Sequence, residues 1–263
     1  MFTRLLNELS RNRQHGVSFA SLDIPEKKLN EWISQDYLDN DKPSLPEISE
    51  PEVVRHFVEL STKNYHVDKN MYPLGSCTMK YNPKINDALA ALFSGFHPLQ
   101  PDETVQGPLE LMYELGELLK EIAGMDDICI QPAAGAQGEF TALLTVKKYF
   151  EDHGIEKTEV ILPDSAHGTN PASVMMAGFK VVEIKSNEHG LVDIDSLKEK
   201  ITDKTAMFMI TNPNTLGLFE KQIKEIAAIV HEKNAFLYMD GANLNALLGI
   251  VRPGDMGFDI THY

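Results

Sequence analysis

Short apolar runs alternate with helical patterns through the second half of the chain, and this alternation restricts the fold more than any other feature. The apolar runs are residues 128–130, 160–162, 181–184, 207–210 and 236–239. Runs that are apolar on both faces are typical of strands in a parallel sheet that helices cover on both sides. The sequence therefore predicts an α/β layered fold with a mainly parallel sheet.

Two helical patterns accompany these runs. The first begins near Pro108, ends at Gly124 and has one apolar stripe, formed by Leu111, Leu115, Leu118, Leu119 and Ile122. Proline is tolerated in the first turn of a helix, and glycine is common just beyond its end. The second pattern places four apolar residues at helical spacing, namely Ile223, Ile226, Ala227 and Val230.

Residues 1–60 are charged and interrupted by prolines, with a short helical pattern at residues 52–60. We interpret this region as an arm that packs on another part of the protein or on a partner subunit, and an irregular surface segment is equally compatible with it. The predicted division is an N-terminal arm with a mouth-of-site segment over residues 1–103 and a ligand-binding large domain over residues 104–263. The C-terminal domain expected to follow the large domain is absent from the chain.

The charge balance excludes two classes of protein. With 24 Lys and Arg against 39 Asp and Glu, the net charge is −15, so no basic face for nucleic acid is expected. The apolar runs are too short for a membrane span. Two cysteines, Cys77 and Cys129, fit a reducing cytoplasm, and Cys129 is expected in the core because it lies in an apolar run. Cys77 is open to two interpretations, a reactive thiol or a small packing residue.

Ligands of such sheets bind beyond the carboxyl ends of the strands, where polar loops follow the apolar runs. A loop of small residues at 131–138 leads into a helix, and its exposed amides at Gly135 and Ala136 suit an anion such as phosphate. A plain strand-to-helix turn explains that loop equally well, since it lacks the ending of a P-loop. His167 follows the run 160–162, and Asp240 follows the run 236–239. Taken alone, His167 also fits a surface histidine, and Asp240 also fits a helix N-cap.

Together, an anion cradle, an imidazole and an acid at a strand end are what a phosphorylated aromatic cofactor needs. Pyridoxal 5'-phosphate fits this description, because an aspartate that keeps its pyridine nitrogen protonated makes the ring an electron sink. A charge-assisted hydrogen bond of this kind contributes about 1.5–3 kcal/mol.

Four segments resemble the glycine decarboxylase family, the pyridoxal-phosphate P-proteins of the glycine cleavage system. They are residues 72–83 (YPLGSCTMKYNP), 164–173 (DSAHGTNPAS), 211–217 (TNPNTLG) and 239–243 (MDGAN). The start of the chain is similar to that of the separate second subunit found where the enzyme is split in two. The resemblance implies a fold-type I enzyme that decarboxylates glycine and passes the aminomethyl group to the lipoyl arm of H-protein, together with subunit 1.

The resemblance also implies site residues. Gly135, Ala136 and Gln137 would hold the phosphate, His167 would stack on the ring, and Asp240 would pair with the pyridine nitrogen. The residues expected close to cofactor or substrate are Thr169, Asn212, Ala242 and Asn243, with Ala242 against the opposite ring face. The segment 72–83 is expected at the mouth of the site, with Ser76, Cys77, Thr78 and Lys80 near the substrate, although Lys80 also fits a solvated surface position. No metal is predicted.

The family's Schiff-base lysine follows a stretch that begins like residues 259–262, and the chain stops at Tyr263. We therefore expect a C-terminally truncated piece of a longer enzyme, inactive alone. Two alternatives are a non-catalytic partner subunit that has no Schiff-base lysine and another fold-type I enzyme such as an aminotransferase or a desulfurase. The latter would be expected to have an arginine clamp or a loop cysteine for its substrate, and Arg252 is the one arginine in the second half of the chain.

Overall fold

The computed structural model describes residues 4–14, 16, 18, 20–39, 41, 44–71 and 81–263. The chain divides into two compact units, Met1–Pro73 and Leu74–Tyr263. The predicted functional boundary near residue 103 stays a prediction. Ser76, Cys77, Thr78 and Lys80 lie outside the described residues.

The first unit contains little regular structure apart from one long helix. Its elements are helix α1 (Leu6–Leu9), 3-10 turns at Leu29–Glu31 and Gln35–Tyr37, and helix α2 (Glu50–Lys63). Helix α2 confirms the helical pattern predicted at residues 52–60. It begins after Ser49, whose amide donates a hydrogen bond to the Glu52 carboxylate at 3.3 Å, the arrangement of a capping box.

The second unit is an α/β layered structure. Its helices are α3 (Lys84–Ala91), α4 (Gln106–Ala123), α5 (Gly135–Asp152), α6 (Thr169–Met176), α7 (Ile194–Lys200) and α8 (Ile223–Glu232). Its strands are β1 (Glu159–Pro163), β2 (Lys180–Ile184), β3 (Thr205–Thr211), β4 (Phe236–Asp240) and β5 (Ile260–His262). Short 3-10 turns occur at Asp102–Thr104, Leu244–Ala246 and Gly254–Met256. The predicted fold class is confirmed.

All paired strands are parallel, in the order β2-β1-β3-β4-β5. Alternate residues of the strands face opposite sides of the sheet. One side packs on α5 and α6 through residues such as Leu162, Met207 and Tyr238. The other packs on α7 and α8 through residues such as Ile161 and Phe208. Both faces of the sheet are thus buried, which explains why the strands are apolar on both faces.

The expectation for residues 128–130 was wrong. They form no strand, and Cys129 is exposed instead of lying in the core. The Ile128 amide donates to the side chain of Asp127 at 2.8 Å, so a neighbouring carboxylate satisfies a group that a strand would use for pairing. Length alone does not decide this, because β5 also has three residues and pairs with β4, whereas residues 128–130 have no strand beside them.

Helix α4 matches the pattern predicted between Pro108 and Gly124. Gly124 follows its last turn with a left-handed φ of 67°, a conformation that glycine adopts without strain. Much of the predicted apolar stripe is open to solvent, however, with Leu111 51%, Leu115 45% and Leu118 63% exposed. Among the helices of the described residues, none is long and apolar enough to cross a bilayer.

Candidate active site

The site lies where the strand order reverses. The chain passes from β1 to β2 at one side and then returns across β1 to β3, and sheets of this kind bind ligands beyond the carboxyl ends of the strands at such a point. Hydrogen bonds connect the loops around it: Thr215 donates to the carbonyl oxygen of Ser165 at 3.2 Å, and the Asn243 side chain donates to that of Pro213 at 2.9 Å. The loops after β1, β3 and β4 therefore meet, as the sequence predicted.

Asp240 is the last residue of β4 and is 4% exposed. Its Oδ2 accepts a hydrogen bond from Asn170 Nδ2 at 3.1 Å, and its Oδ1 accepts one from the Ala242 amide at 3.1 Å. Nε2 of His262 lies 3.3 Å from the same Oδ1. His262 is the register partner of Asp240 on β5, which explains why the two side chains meet. The carboxylate thus contacts groups from three separate segments, two of which, Asn170 and Ala242, donate hydrogen bonds to it.

Tyr238 lies on the same face of β4, two residues before Asp240, and is fully buried. Its phenol is hydrogen bonded to Nδ1 of His262. Burial raises the pKa of Tyr238 well above its usual 10.0, and the negative charges of Asp240 and Glu139 raise it further. The phenol therefore keeps its proton under ordinary conditions.

Glu139 is a second buried carboxylate that the sequence analysis missed. It lies on α5, is 2% exposed, and accepts hydrogen bonds from the hydroxyls of Thr169 and Ser173, each at 2.8 Å. A signal was available, since Glu139 shares one buried face of α5 with Ala142, Leu143 and Val146 at helical spacing. A carboxylate on an apolar helix face requires partners from elsewhere in the fold.

Glu139, Asp240 and His262 form one cluster, with ligating atoms all within 4.8 Å of one another. Such a spacing is compatible with a metal ion, although no metal was predicted. Within the described part of the chain, no lysine or arginine forms an ion pair with either carboxylate. Two buried carboxylates without a fixed cation are costly, and a cationic ligand group would relieve that cost.

His167 lies in the loop after β1, with its ring exposed. Its Nδ1 is 2.8 Å from the Thr169 hydroxyl, which in turn donates to Glu139. The Thr169 amide also donates a hydrogen bond to His167 Nδ1, at 3.2 Å. The ring is thus tethered at one edge, and its face stays open for stacking.

The amino terminus of α5 lies against His262. A Cβ added to Gly135 would come 3.1 Å from His262 Nε2, and one added to Gly138 would come 2.9 Å from His262 Cβ. No side chain in the described part of the chain caps this terminus. The Gln137 side chain folds back, with its Oε1 accepting from the Ala133 amide at 2.6 Å, and its role as a phosphate ligand stays a prediction. The small residues bring a helix terminus suited to an anion beside the Asp240 cluster.

Three buried polar atoms around the strand ends have no hydrogen-bond partner among the residues that the structure describes. They are Asn170 Oδ1, Thr211 Oγ1 and Asn212 Nδ2. Asn212 uses its other side-chain atom, Oδ1, to accept from the Glu220 amide at 3.0 Å. Unpaired buried polar groups cost about 1–3 kcal/mol each, so they are expected to meet ligand groups. Together with Asp240 and the α5 terminus, these atoms fit a polar, phosphorylated ring.

The predicted residues divide into those that converge and those that do not. His167 and Thr169 form one hydrogen-bonded group with Glu139, and Asp240 and Ala242 form another with Asn170. The two groups are connected because the Asn170 amide donates to the His167 carbonyl oxygen at 3.0 Å. Asn212 and Asn243 support the neighbouring loops. The residues that the sequence analysis missed are Glu139, Asn170, Ser173, Tyr238 and His262. Of these, Asn170 and Ser173 lie within the segment 164–173, and His262 lies within residues 259–262.

Comparison with known proteins defines the class first. Residues 137–250 match the aminotransferase class-V family model. An inhibitor-bound glycine decarboxylase (P-protein) structure superposes with a TM-score of 0.64 at 22% identity, covering 89% of this chain and 52% of that one. The sphingosine-1-phosphate lyase of Burkholderia pseudomallei gives a TM-score of 0.54 at 19% identity, covering 78% and 49%. The fold is that of the fold-type I pyridoxal-phosphate-dependent enzymes.

Sequence relatives are more specific. The chain is 56% identical over its full length to a probable glycine dehydrogenase (decarboxylating) subunit 2 from Chlorobaculum tepidum, of which it covers 54%. A protein with that name from Bacillus velezensis is 54% identical over 98% of this chain, with 53% of its own length covered. The chain is therefore similar over its whole length to part of glycine dehydrogenase (decarboxylating) subunit 2, which confirms the resemblance. It spans about half the length of the curated relatives it matches.

Proposed function

We propose that the whole protein is a pyridoxal-phosphate-dependent glycine dehydrogenase (decarboxylating). It decarboxylates glycine and transfers the aminomethyl group to the lipoyl arm of H-protein, together with a first subunit. The observation that carries the proposal is the position of Asp240, a buried carboxylate beside a second one and next to the uncapped terminus of α5. The relatives named glycine dehydrogenase support the choice of substrate.

Each element of the site has a defined task on this proposal. The amides at Gly135 and Ala136, at the positive end of the α5 dipole, bind the phosphate. The exposed face of His167 stacks on the ring, and Ala242 lies on the ring's other side. Asp240 Oδ2, which accepts one hydrogen bond from Asn170, pairs with the protonated pyridine nitrogen. Bound pyridoxal phosphate supplies the sink for the electron pair that remains when the glycine carboxylate leaves as carbon dioxide.

The positive charge of the pyridinium offsets the free-energy cost of burying two neighbouring carboxylates in the site. Asp240 and Glu139 are both nearly inaccessible to water and approach within 4.8 Å. The positive charge on the ring nitrogen, next to Asp240, lowers the free-energy cost of burying both carboxylates. Binding of the cofactor is consequently expected to stabilise the fold as well as to prepare the chemistry.

The cofactor part of the proposal is tested by titrating the chain with pyridoxal phosphate in equilibrium dialysis, with borohydride reduction as a second readout. We expect saturable binding without covalent trapping, since the resemblance places the Schiff-base lysine after residue 263. The variant Asp240→Ala should bind at least tenfold more weakly. Trapping on a lysine within the chain would contradict the expected lysine position, and absence of binding would contradict the cofactor assignment.

The reaction is tested in the whole protein. Purified whole protein, first subunit and lipoylated H-protein are expected to exchange labelled carbon dioxide into the glycine carboxylate, and omission of H-protein should abolish most of the exchange. The matched variant Asp203→Asn, in which an exposed surface aspartate changes, should leave exchange intact. Well-folded components that catalyse no exchange would overturn the assignment and favour a non-catalytic role for this chain.

A further inference from the structure

The starting observation is the buried phenol of Tyr238. Its described hydrogen-bond partner is Nδ1 of His262, and its side chain is fully buried. Since burial raises its pKa, the phenol retains its proton and acts as a donor. A buried hydroxyl whose proton has no acceptor costs about 1–3 kcal/mol, so the phenol proton is expected on the line to Nδ1.

This contact determines where the imidazole carries its own proton. If Nδ1 accepts from the phenol, the ring proton of a neutral His262 is on Nε2. Nε2 lies 3.3 Å from Asp240 Oδ1, an acceptor. One imidazole can contact both residues because Tyr238 and Asp240 are two positions apart on β4 and face the same side of the sheet.

We propose that His262 is a positioning residue for Asp240: a neutral imidazole whose tautomer is fixed by Tyr238 and which donates its Nε2 proton to Asp240 Oδ1. With the Ala242 amide at 3.1 Å, Oδ1 then has two donors, whereas Oδ2 has one, Asn170 Nδ2 at 3.1 Å. Donors to the ionised carboxylate favour its charged form. Oδ2 is consequently the oxygen with a free lone pair, directed to a cationic ligand group.

The inference rests on the proposed function only for the identity of that cationic group, the pyridinium nitrogen. The tautomer of His262 and its contact with Asp240 are properties of the protein without cofactor. The inference and the proposed function can therefore fail independently. A wrong tautomer with intact cofactor binding would remove the inference alone, and a correct tautomer without any cofactor binding would remove the proposed function alone.

The first experiment is nitrogen NMR on the uniformly ¹³C,¹⁵N-labelled chain without cofactor, with the His262 ring assigned through its own backbone correlations. We expect a pyrrole-like shift for Nε2 and a pyridine-like shift for Nδ1. An imidazolium pattern or a proton on Nδ1 would overturn the proposal. This measurement uses the native residues and remains decisive if a variant folds poorly.

The second experiment removes the phenol with Tyr238→Phe, which preserves the ring that packs in the core. The Nδ1 shift is expected to move toward an average of the two tautomers, because its donor is gone. Tyr149→Phe is the matched control on α5, where Tyr149 is 43% exposed, and should leave the His262 shifts unchanged. Unchanged shifts in folded Tyr238→Phe would show that Tyr238 does not fix the tautomer.

The third experiment measures the effect on Asp240 through pyridoxal phosphate binding by equilibrium dialysis. His262→Phe keeps an aromatic ring but has no N–H, so affinity is expected to fall about tenfold, the loss of one hydrogen bond to a charged group. His189→Phe is the control, since the His189 side chain is 77% exposed. Equal affinity of His262→Phe and the native chain would contradict a positioning role.

Discussion

Glu139 on α5 and Asp240 at the end of β4 approach each other within 4.8 Å in the interior of the protein, although 101 positions of sequence, from 139 to 240, separate them. Their negative charges repel, and each is held by neutral donors instead of a lysine or arginine in the described residues. Such a pair is unfavourable without a ligand and favourable for a cation. This relationship underlies the first two predictions.

Asp240→Asn should keep the fold and lose the cofactor. The new amide can be accommodated because Asn170 has an unpaired Oδ1, so rotation of the Asn170 amide supplies an acceptor. The carboxylate that would pair with the pyridinium is gone, so pyridoxal phosphate affinity should fall at least tenfold. Dialysis measures the affinity and thermal unfolding measures the fold. Native-like affinity in this variant would argue against the Asp240 contact.

Glu139→Leu should destabilise the chain by about 1–3 kcal/mol, because the buried hydroxyl of Ser173 and that of Thr169 lose their acceptor. Urea unfolding measures the change. Glu151→Leu, an exposed position on the same helix, is the matched control and should change stability little. A stabilised Glu139→Leu variant would mean that relief of carboxylate repulsion exceeds the value of the two hydrogen bonds.

Gly138→Ala should lower stability although alanine favours helices. The added Cβ would lie 2.9 Å from His262 Cβ, closer than packed carbon atoms tolerate, so α5 must move away from β5. We expect a loss of about 1–3 kcal/mol. Gly107→Ala, near the start of α4 with open space around it, should instead be neutral or stabilising by up to about 1 kcal/mol. Equal effects of both changes in urea unfolding would contradict the close packing.

Stability should fall in alkaline solution partly because of Tyr238. The pKa of Tyr238 in the folded protein is raised above the unfolded value near 10.0. Below pH 10.0 the phenol is protonated in both states, so its contribution to folding stability is fully present there. As the pH rises above it, the unfolded chain loses the phenol proton while the folded chain keeps it, and unfolding becomes easier. Tyr238→Phe should therefore flatten the decline. The check is urea unfolding on both sides of the tyrosine pKa, and an equal decline in both proteins would refute the assignment.

The isolated chain should self-associate, since Leu111, Leu115 and Leu118 on α4 present a largely exposed apolar stripe. Sedimentation velocity over a range of concentrations is expected to show oligomers. Replacing Leu115 and Leu118 together by glutamate should shift the distribution to monomer, whereas the same double change at the polar, exposed Thr141 and Thr145 of α5 should not. A monodisperse native monomer at high concentration would contradict this prediction.

Much of the fold follows from local pattern. Four of the five predicted strands form, because runs such as 207–210 are apolar on both faces and flanked by turn residues. The run 128–130 has the same apolar character and no strand beside it, so pairing, which is not a local property, decided against it. Cys129 is exposed for the same reason.

The candidate site shows the same division. The polar residues that follow each strand, among them His167 and Asp240, were visible in sequence because parallel strands bring their carboxyl ends to one edge. Glu139, Tyr238 and His262 were not selected, since each looks ordinary in its own segment. Their roles depend on contacts between α5, β4 and β5, such as the Asp240–His262 register.

The sequence by itself determined the layered α/β class, the helix from Pro108 to Gly124, and which loops have polar side chains. These features depend on periodicity and turn residues, which are local properties of a few neighbouring positions. Only the tertiary structure decided the strand order, the burial of two carboxylates side by side, and the contacts of His262 with both Tyr238 and Asp240. Those features arise from the packing of distant segments, and the free energy of a buried charge depends on everything around it.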